Sequence, residues 1–235
     1  MQGVIMRGVR GHFACIALGV LALVAPSADA VILDFVSDPG ANVTFVSTAS
    51  GADFTFEDEV AASYNDFQIV FSDGTGSAVG LHGDIDGTFS YTAAGILVSG
   101  TNESAAVSGT GSVSIDDGAG FVLTSTLSWV EIQTDGASGA VNTSGNFNLT
   151  NITYTGLNLD LLALAMGDGI VSSTFQLNSA PTLTSIAGQS IGVSTTYNSF
   201  SGSIDVPDPV PEPATLSLFG LGLVGMAIRR KRISI

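Results

Sequence analysis

Basic side chains are missing from most of this chain. No Lys or Arg occurs between residues 31 and 228, yet all of the 21 acidic residues except Asp29 and Glu212 lie between residues 31 and 210. That stretch forms no Lys or Arg salt bridge, and a surface of one sign repels phosphate backbones and anionic headgroups. Nucleic acid and electrostatic attachment to acidic lipid are therefore excluded, whereas cations and neutral glycans stay open as partners. Cysteine is almost absent as well. Cys15 stands alone at the start of an apolar run, where a lipobox would not be, in a segment expected to be removed. The mature chain then has no disulfide, thiol nucleophile or thiolate metal site, and its stability rests on packing and hydrogen bonds. Beyond residue 30 there is one histidine, His82, and one tryptophan, Trp129.

Long apolar runs are confined to the two ends. Arg7, Arg10 and His12 precede an apolar stretch at residues 13–24, and Ala28-Asp29-Ala30 supplies a small-x-small triplet. These are the three regions of a secretory signal peptide at residues 1–30, cleaved by signal peptidase after Ala30. The run is shorter than the about 20 residues a membrane anchor needs, and Pro26 follows it.

At the other end Pro207, Pro209, Pro211 and Pro213 alternate with other residues across 206–213. Each proline fixes its own φ and biases its predecessor toward extension, so a polyproline-II stalk of about 25 Å is expected. Residues 214–228 are apolar apart from Thr215 and Ser217, and Arg229, Arg230, Lys231 and Arg232 follow, with residues 229–235 forming a basic cytoplasmic tail. A transmembrane helix over 214–228 rises only about 22 Å against a hydrocarbon core of about 30 Å, which suits transient membrane insertion. The basic block stops transfer and keeps its own side cytoplasmic, so the preceding domain lies across the membrane, in agreement with the signal peptide.

Pro211-Glu212-Pro213, a short Gly-rich apolar helix and a terminal basic cluster, in that order, resemble the PEP-CTERM sorting signal of Gram-negative bacteria. The resemblance covers roughly the last 25 residues and implies recognition of Pro211, Glu212 and Pro213 by exosortase, a membrane-embedded peptidase or transpeptidase. Carriers of this signal are associated with exopolysaccharide and biofilm matrix. The implied route is export, an inner-membrane intermediate, then the cell surface or extracellular space. Gly220, Gly222 and Gly225 match the glycine spacing of a dinucleotide-binding loop, but no strand precedes them and no acidic ribose ligand follows. In a membrane helix such glycines permit close helix approach.

Between the ends, residues 31–205 are rich in Gly, Ser, Thr and Asn, with short apolar runs separated by turn signals. Strands are expected at 31–36, 43–48, 54–56, 67–71, 85–91, 96–99, 111–115, 121–132, 145–155, 170–177, 183–186 and 197–205. Phe121, Leu123, Leu127 and Trp129 alternate with Thr124, Thr126 and Ser128, placing Trp129 in the core. The run at 159–166, apolar except for Asp160, reads as a short helix or a buried strand, with helix preferred. Short strands without alternating helices, and no fixed-period repeat, give an all-β acidic domain, an antiparallel β-sandwich or jelly-roll-like fold.

Candidate chemistry is sparse. His82 lacks a nucleophile elbow of the G-x-S-x-G kind, so a hydrolase triad is not supported and a turn histidine is the simpler reading. Asp84 and Asp86, two apart, share a strand face and are candidate calcium ligands, although calcium takes six to eight oxygens and no EF-hand spacing is present. A solvated acidic turn is the simpler alternative, and the same holds for Glu57-Asp58-Glu59. Five N-x-S/T sequons, at Asn42, Asn102, Asn142, Asn148 and Asn151, follow from composition and do not imply glycosylation in a bacterial setting. The leading expectation is a non-enzymatic surface or matrix component associated with polysaccharide. The alternative is an exported carboxylate-dependent hydrolase, of glycoside hydrolase type, acting on matrix polysaccharide.

Overall fold

The computed structural model describes residues 31–57, 66–135, 141–176, 181–197 and 199–206. The signal peptide, the proline stalk beyond Val206, the apolar tail and the basic cluster lie outside the described residues, and Val206 itself ends a strand. So do Ala28, Ala30, Pro211, Glu212, Pro213 and Arg229, Arg230, Lys231 and Arg232.

Fourteen strands and two short helices follow one another along the described chain. They are β1 (Val31–Ser37), β2 (Asn42–Ser47), β3 (Gly51–Glu57), β4 (Phe67–Ser72), β5 (His82–Gly87), β6 (Phe89–Thr92), β7 (Leu97–Ser99), β8 (Asn102–Ala106), β9 (Thr110–Asp116), β10 (Val122–Asp135), β11 (Val141–Thr153), α1 (Leu159–Leu164), β12 (Gly169–Gln176), α2 (Leu183–Ala187), β13 (Ser194–Tyr197) and β14 (Ser199–Val206). Every strand pairing is antiparallel.

The large sheet runs β11-β12-β14-β1-β4-β5-β9-β10, and β10 pairs back onto β11, so these eight strands close into a barrel. The expectation of an all-β antiparallel fold holds, but the open sandwich or jelly roll is corrected to a closed barrel. The reason lies in β10, whose 14 residues reach three partners: β11 along one edge, and β9 followed by β8 along the other. Closure leaves no free edge among these eight strands, while β8 and then β7 extend the sheet from the second half of β10.

A second sheet, in the order β13-β2-β3-β6, repeats the order β14-β1-β4-β5 of the barrel wall. Each of its strands neighbours its barrel counterpart in the chain, so four strands of the wall turn a corner and continue as a small sheet. The β5–β6 corner shows how. Residues 85–91 read as one strand in sequence, yet Gly87 adopts φ 133 and breaks it. Gly87 pairs with Gly111 on β9, where a Cβ would lie 2.0 Å from the Asp86 carbonyl oxygen. Only glycine tolerates that conformation and that approach.

The inner faces of both sheets meet in one core. Near the corner it is aromatic: Trp129 lies 4.9 Å from Phe54 in an edge arrangement and 4.8 Å from Phe147, and Phe56 reaches Phe200 at 5.1 Å. Burying each such ring contributes about 1.5–3 kcal/mol. Farther down the barrel the filling is aliphatic, with Leu33, Ile69, Ile115, Leu123, Leu127 and Ile204 buried. The register of β10 against β11 shifts between Trp129 and Glu131, and the inward set changes from odd to even positions, so Ile132 and Thr134 are buried. This bulge explains why simple alternation reads β10 correctly only up to Trp129. Phe121, assigned to the core in sequence, precedes the strand and is exposed.

Both helices begin with a side-chain cap. Asn158 Oδ1 accepts from the Asp160 and Leu161 amides, and Thr182 Oγ1 accepts from the Ser185 amide. The second cap overturns the strand expected at 183–186: a Thr ahead of Leu183 satisfies an orphan helical amide that a strand would not present. The strand β8 was not anticipated either. Among the described residues no helix is long and apolar enough to cross a membrane.

Candidate functional site

The outward face of β5 carries His82, Asp84 and Asp86 at every second position, as a strand requires. His82 is thus a strand residue, contrary to the turn expected from sequence. Its Nδ1 lies 2.6 Å from Asp38 Oδ2, and its Nε2 lies 3.3 Å from Gln68 Nε2. These partners fix the neutral tautomer: Nδ1–H donates to the carboxylate and Nε2 accepts from the carboxamide. When protonated, His82 forms the single ion pair seen among the described residues. His82 thereby joins the β1–β2 turn to β4 and β5.

Asp84 and Asp86 line a cleft of about 360 Å³ together with Phe56, Glu57 and Asp66. Asp66 is buried, and its Oδ2 accepts from the Ile85 amide at 2.7 Å. Its own amide reaches Asp84 Oδ1 at 3.4 Å. Glu57 accepts from the hydroxyls of Thr55 at 3.1 Å and Thr44 at 3.3 Å. The structure therefore brings the two sequence-predicted aspartates to one place and adds Asp66, which the sequence did not single out, and Glu57, which the sequence placed in an acidic turn and which ends β3. Asp66 has no distinguishing sequence signal, because its role depends on the β4–β5 pairing. Among the described residues no group of three or more His, Cys, Asp or Glu side chains converges as a metal cage. Asp58 and Glu59 lie outside the described residues.

A second surface lies on the barrel wall. The registers of β9, β10 and β11 align Ser114, Thr124 and Thr153 in one rung, Ser112, Thr126 and Thr150 in the next, and Thr110, Ser128 and Asn148 in a third. Alternation turns all nine outward. The Thr124 and Thr153 hydroxyls lie 3.0 Å apart. These nine positions carry only hydroxyls and a carboxamide, groups that donate and accept hydrogen bonds without charge, and carboxylates border them: the first two rungs continue into Asp84 and Asp86 on β5, with Asp116 on β9 and Glu131 on β10 at the two ends.

The remaining polar groups are structural. Asp160, 1% exposed, accepts from the Ser72 hydroxyl at 2.9 Å, from the Ala78 amide at 3.1 Å and from the Gly76 amide. Gly76 must lack a side chain, since a Cβ would sit 2.6 Å from the Asp160 nitrogen. Asp117 accepts from the Tyr154 hydroxyl at 2.7 Å and from the Ala119 and Phe121 amides. The Tyr154 hydroxyl, then those amides, hold the Asp117 carboxyl below the usual carboxylate range. Burial, then the same bond, pushes Tyr154 up. Tyr91, which donates to the Leu183 carbonyl, is raised well above the ordinary phenol range, mainly by burial and then by Tyr197 and Glu103.

The strongest relation to known proteins lies outside the barrel. Residues 209–232 match the PEP-CTERM protein-sorting motif. The motif implies export toward the cell surface and processing by exosortase. No curated protein and no solved structure matches the chain.

Proposed function

We propose that the exosortase-sorted chain carries its barrel to the cell surface or extracellular matrix as a non-enzymatic structural component associated with neutral polysaccharide. Signal peptidase would remove residues 1–30, and the tail would hold the precursor in the inner membrane until exosortase acts beside Pro211-Glu212-Pro213. The observation that carries the glycan reading is the three uncharged rungs of hydroxyls and carboxamide on β9, β10 and β11, bordered by carboxylates. Such a wall accepts a neutral polyol, and the surrounding carboxylates repel an anionic one.

The acidic cleft favours the second reading, a carboxylate-dependent hydrolase, because Asp84, Asp86, Glu57 and Asp66 share one concavity. Against it, both His82 nitrogens are engaged by Asp38 and Gln68, and the Asp66 carboxylate serves the Ile85 amide. A glycan pull-down run beside a turnover assay on matrix polysaccharide separates the two readings. Retention that is lost in Thr124→Ala/Thr126→Ala/Ser128→Ala, without turnover, supports the structural role. Turnover abolished by Asp84→Asn or Asp86→Asn would replace it with the hydrolase.

A further inference from the structure

The helix α1 is apolar on two faces. Leu161 and Leu164 point into the barrel and are buried. On the opposite side Leu159 is 56% exposed, and Met166, in the turn that follows, is 62% exposed. Leu162 and Ala163 are half-buried between them. Leu157, 87% exposed, and Ile170, 56% exposed, flank the helix. Water gains nothing from such a surface, and the segment 157–170 offers one exposed carboxylate, Asp168, because Asp160 is buried against backbone amides.

This face lies where the chain leaves the barrel toward its sorting tail. Val206, the last described residue, pairs with Val31, and Asp205 pairs with Ile170. A Cβ on Gly167 or Gly169 would lie 3.4 or 3.0 Å from the Val206 methyls. Seven residues separate Val206 from the apolar run that begins at Ala214, and fully extended they reach at most about 25 Å. A tail inserted in a bilayer therefore holds this end of the barrel within reach of the lipid surface. At such a short tether the effective concentration is high, so a modest apolar contact suffices.

We propose that the outer face of α1, with Leu157, Leu159, Met166 and Ile170, rests on the lipid surface while the tail holds the precursor in the membrane. The proposal depends on tail insertion, as in the function proposed above. Asp168 and Asp205 make the contact one for zwitterionic rather than anionic lipid.

The test uses the signal-cleaved precursor, residues 31–235, in phosphatidylcholine vesicles, so that the apolar run at 13–24 cannot itself insert. Met166→Cys carries an environment-sensitive fluorophore, and Thr101→Cys, in the turn before β8 at the far end of β10, serves as the reference. Flotation with the vesicles reports tail insertion separately. The expected result is a blue shift at position 166 and quenching by headgroup-spin-labelled lipid, with neither at position 101. Leu157→Ser/Leu159→Ser should lose the quenching at an unchanged melting temperature. A chain that floats but shows no quenching at 166 overturns the docking and leaves tail insertion standing. A blue shift without quenching places a second copy on the face and also overturns it. A chain that does not float overturns both.

Discussion

The two helices solve the same local problem and present opposite surfaces. Each is short, each is capped by a side chain at its N-terminus, and each is tied to a strand or loop by a buried carboxylate. Asp160 gathers the 72–78 loop onto α1, whereas Glu103 of β8 accepts from the Thr184 amide of α2 at 2.7 Å. Yet α2 exposes Thr184 and Ser185, and α1 exposes Leu159 and Met166. The difference teaches that the apolar face of α1 is not forced by capping or by core filling, since α2 achieves both with a polar exterior. The α1 end is also the one with the longer polar chain, running from Asp117 through Tyr154 and Asn158 to Asp160.

The comparison breaks first at the carboxylates. Asp160→Ala strands the buried Ala78 amide, the part-buried Gly76 amide and a hydroxyl, and a loss of about 3 kcal/mol is expected in urea unfolding of the mature domain. Glu103→Ala strands one amide, so its loss should be about 1–3 kcal/mol. Equal losses would mean that the 72–78 loop has partners enough without Asp160.

A smaller effect separates the ends by pH. Asp117 has a folded pKa below its unfolded value, so its stabilisation is present above about pH 4 and disappears as pH falls through the folded value. Tyr154→Phe removes the leading cause of that shift. Its melting temperature should lie below that of the parent near neutrality, and the gap should close at acid pH. A gap that stays constant down to pH 2, on the order of full protonation, would show that the hydroxyl acts through packing alone. The smallest expected effect is Leu159→Ser, which should change stability by no more than about 0.5 kcal/mol, because surface positions away from the core rarely do more. A larger loss would make the outer face part of the core.

The sequence revealed these features unevenly. Alternation made β1, β9 and the first half of β10 legible, and the apolar run at 159–166 announced α1. The barrel did not show, because closure depends on which strand β11 and β10 find as second partners, a fact of long-range register. The second half of β10 changes its inward set at a bulge that leaves no residue signature. Asp84 and Asp86 were legible as a shared face through their spacing, but Asp66 and Glu57 joined them only through folding. The hydroxyl wall was half legible: Thr124, Thr126 and Ser128 stand out along β10, while their rungs with Ser114, Ser112 and Thr150 require the pairing itself. Calcium illustrates the same limit. Two aspartates at the right spacing suggested it, and whether an ion binds is read by comparing Ca²⁺ with Mg²⁺ at equal concentration: equal rises in melting temperature would report screening of the acidic surface. A rise specific to Ca²⁺ would mark a metal site.

The central claim is that the barrel is cargo delivered by its tail, and mass spectrometry of the surface-released protein tests it most directly. The account predicts a C-terminus beside Pro211-Glu212-Pro213 in the parent, and uncut, membrane-bound precursor when those three residues are replaced by alanine. Recovery of mature surface protein still ending at Ile235, or identical processing of the triple-alanine variant, would contradict it.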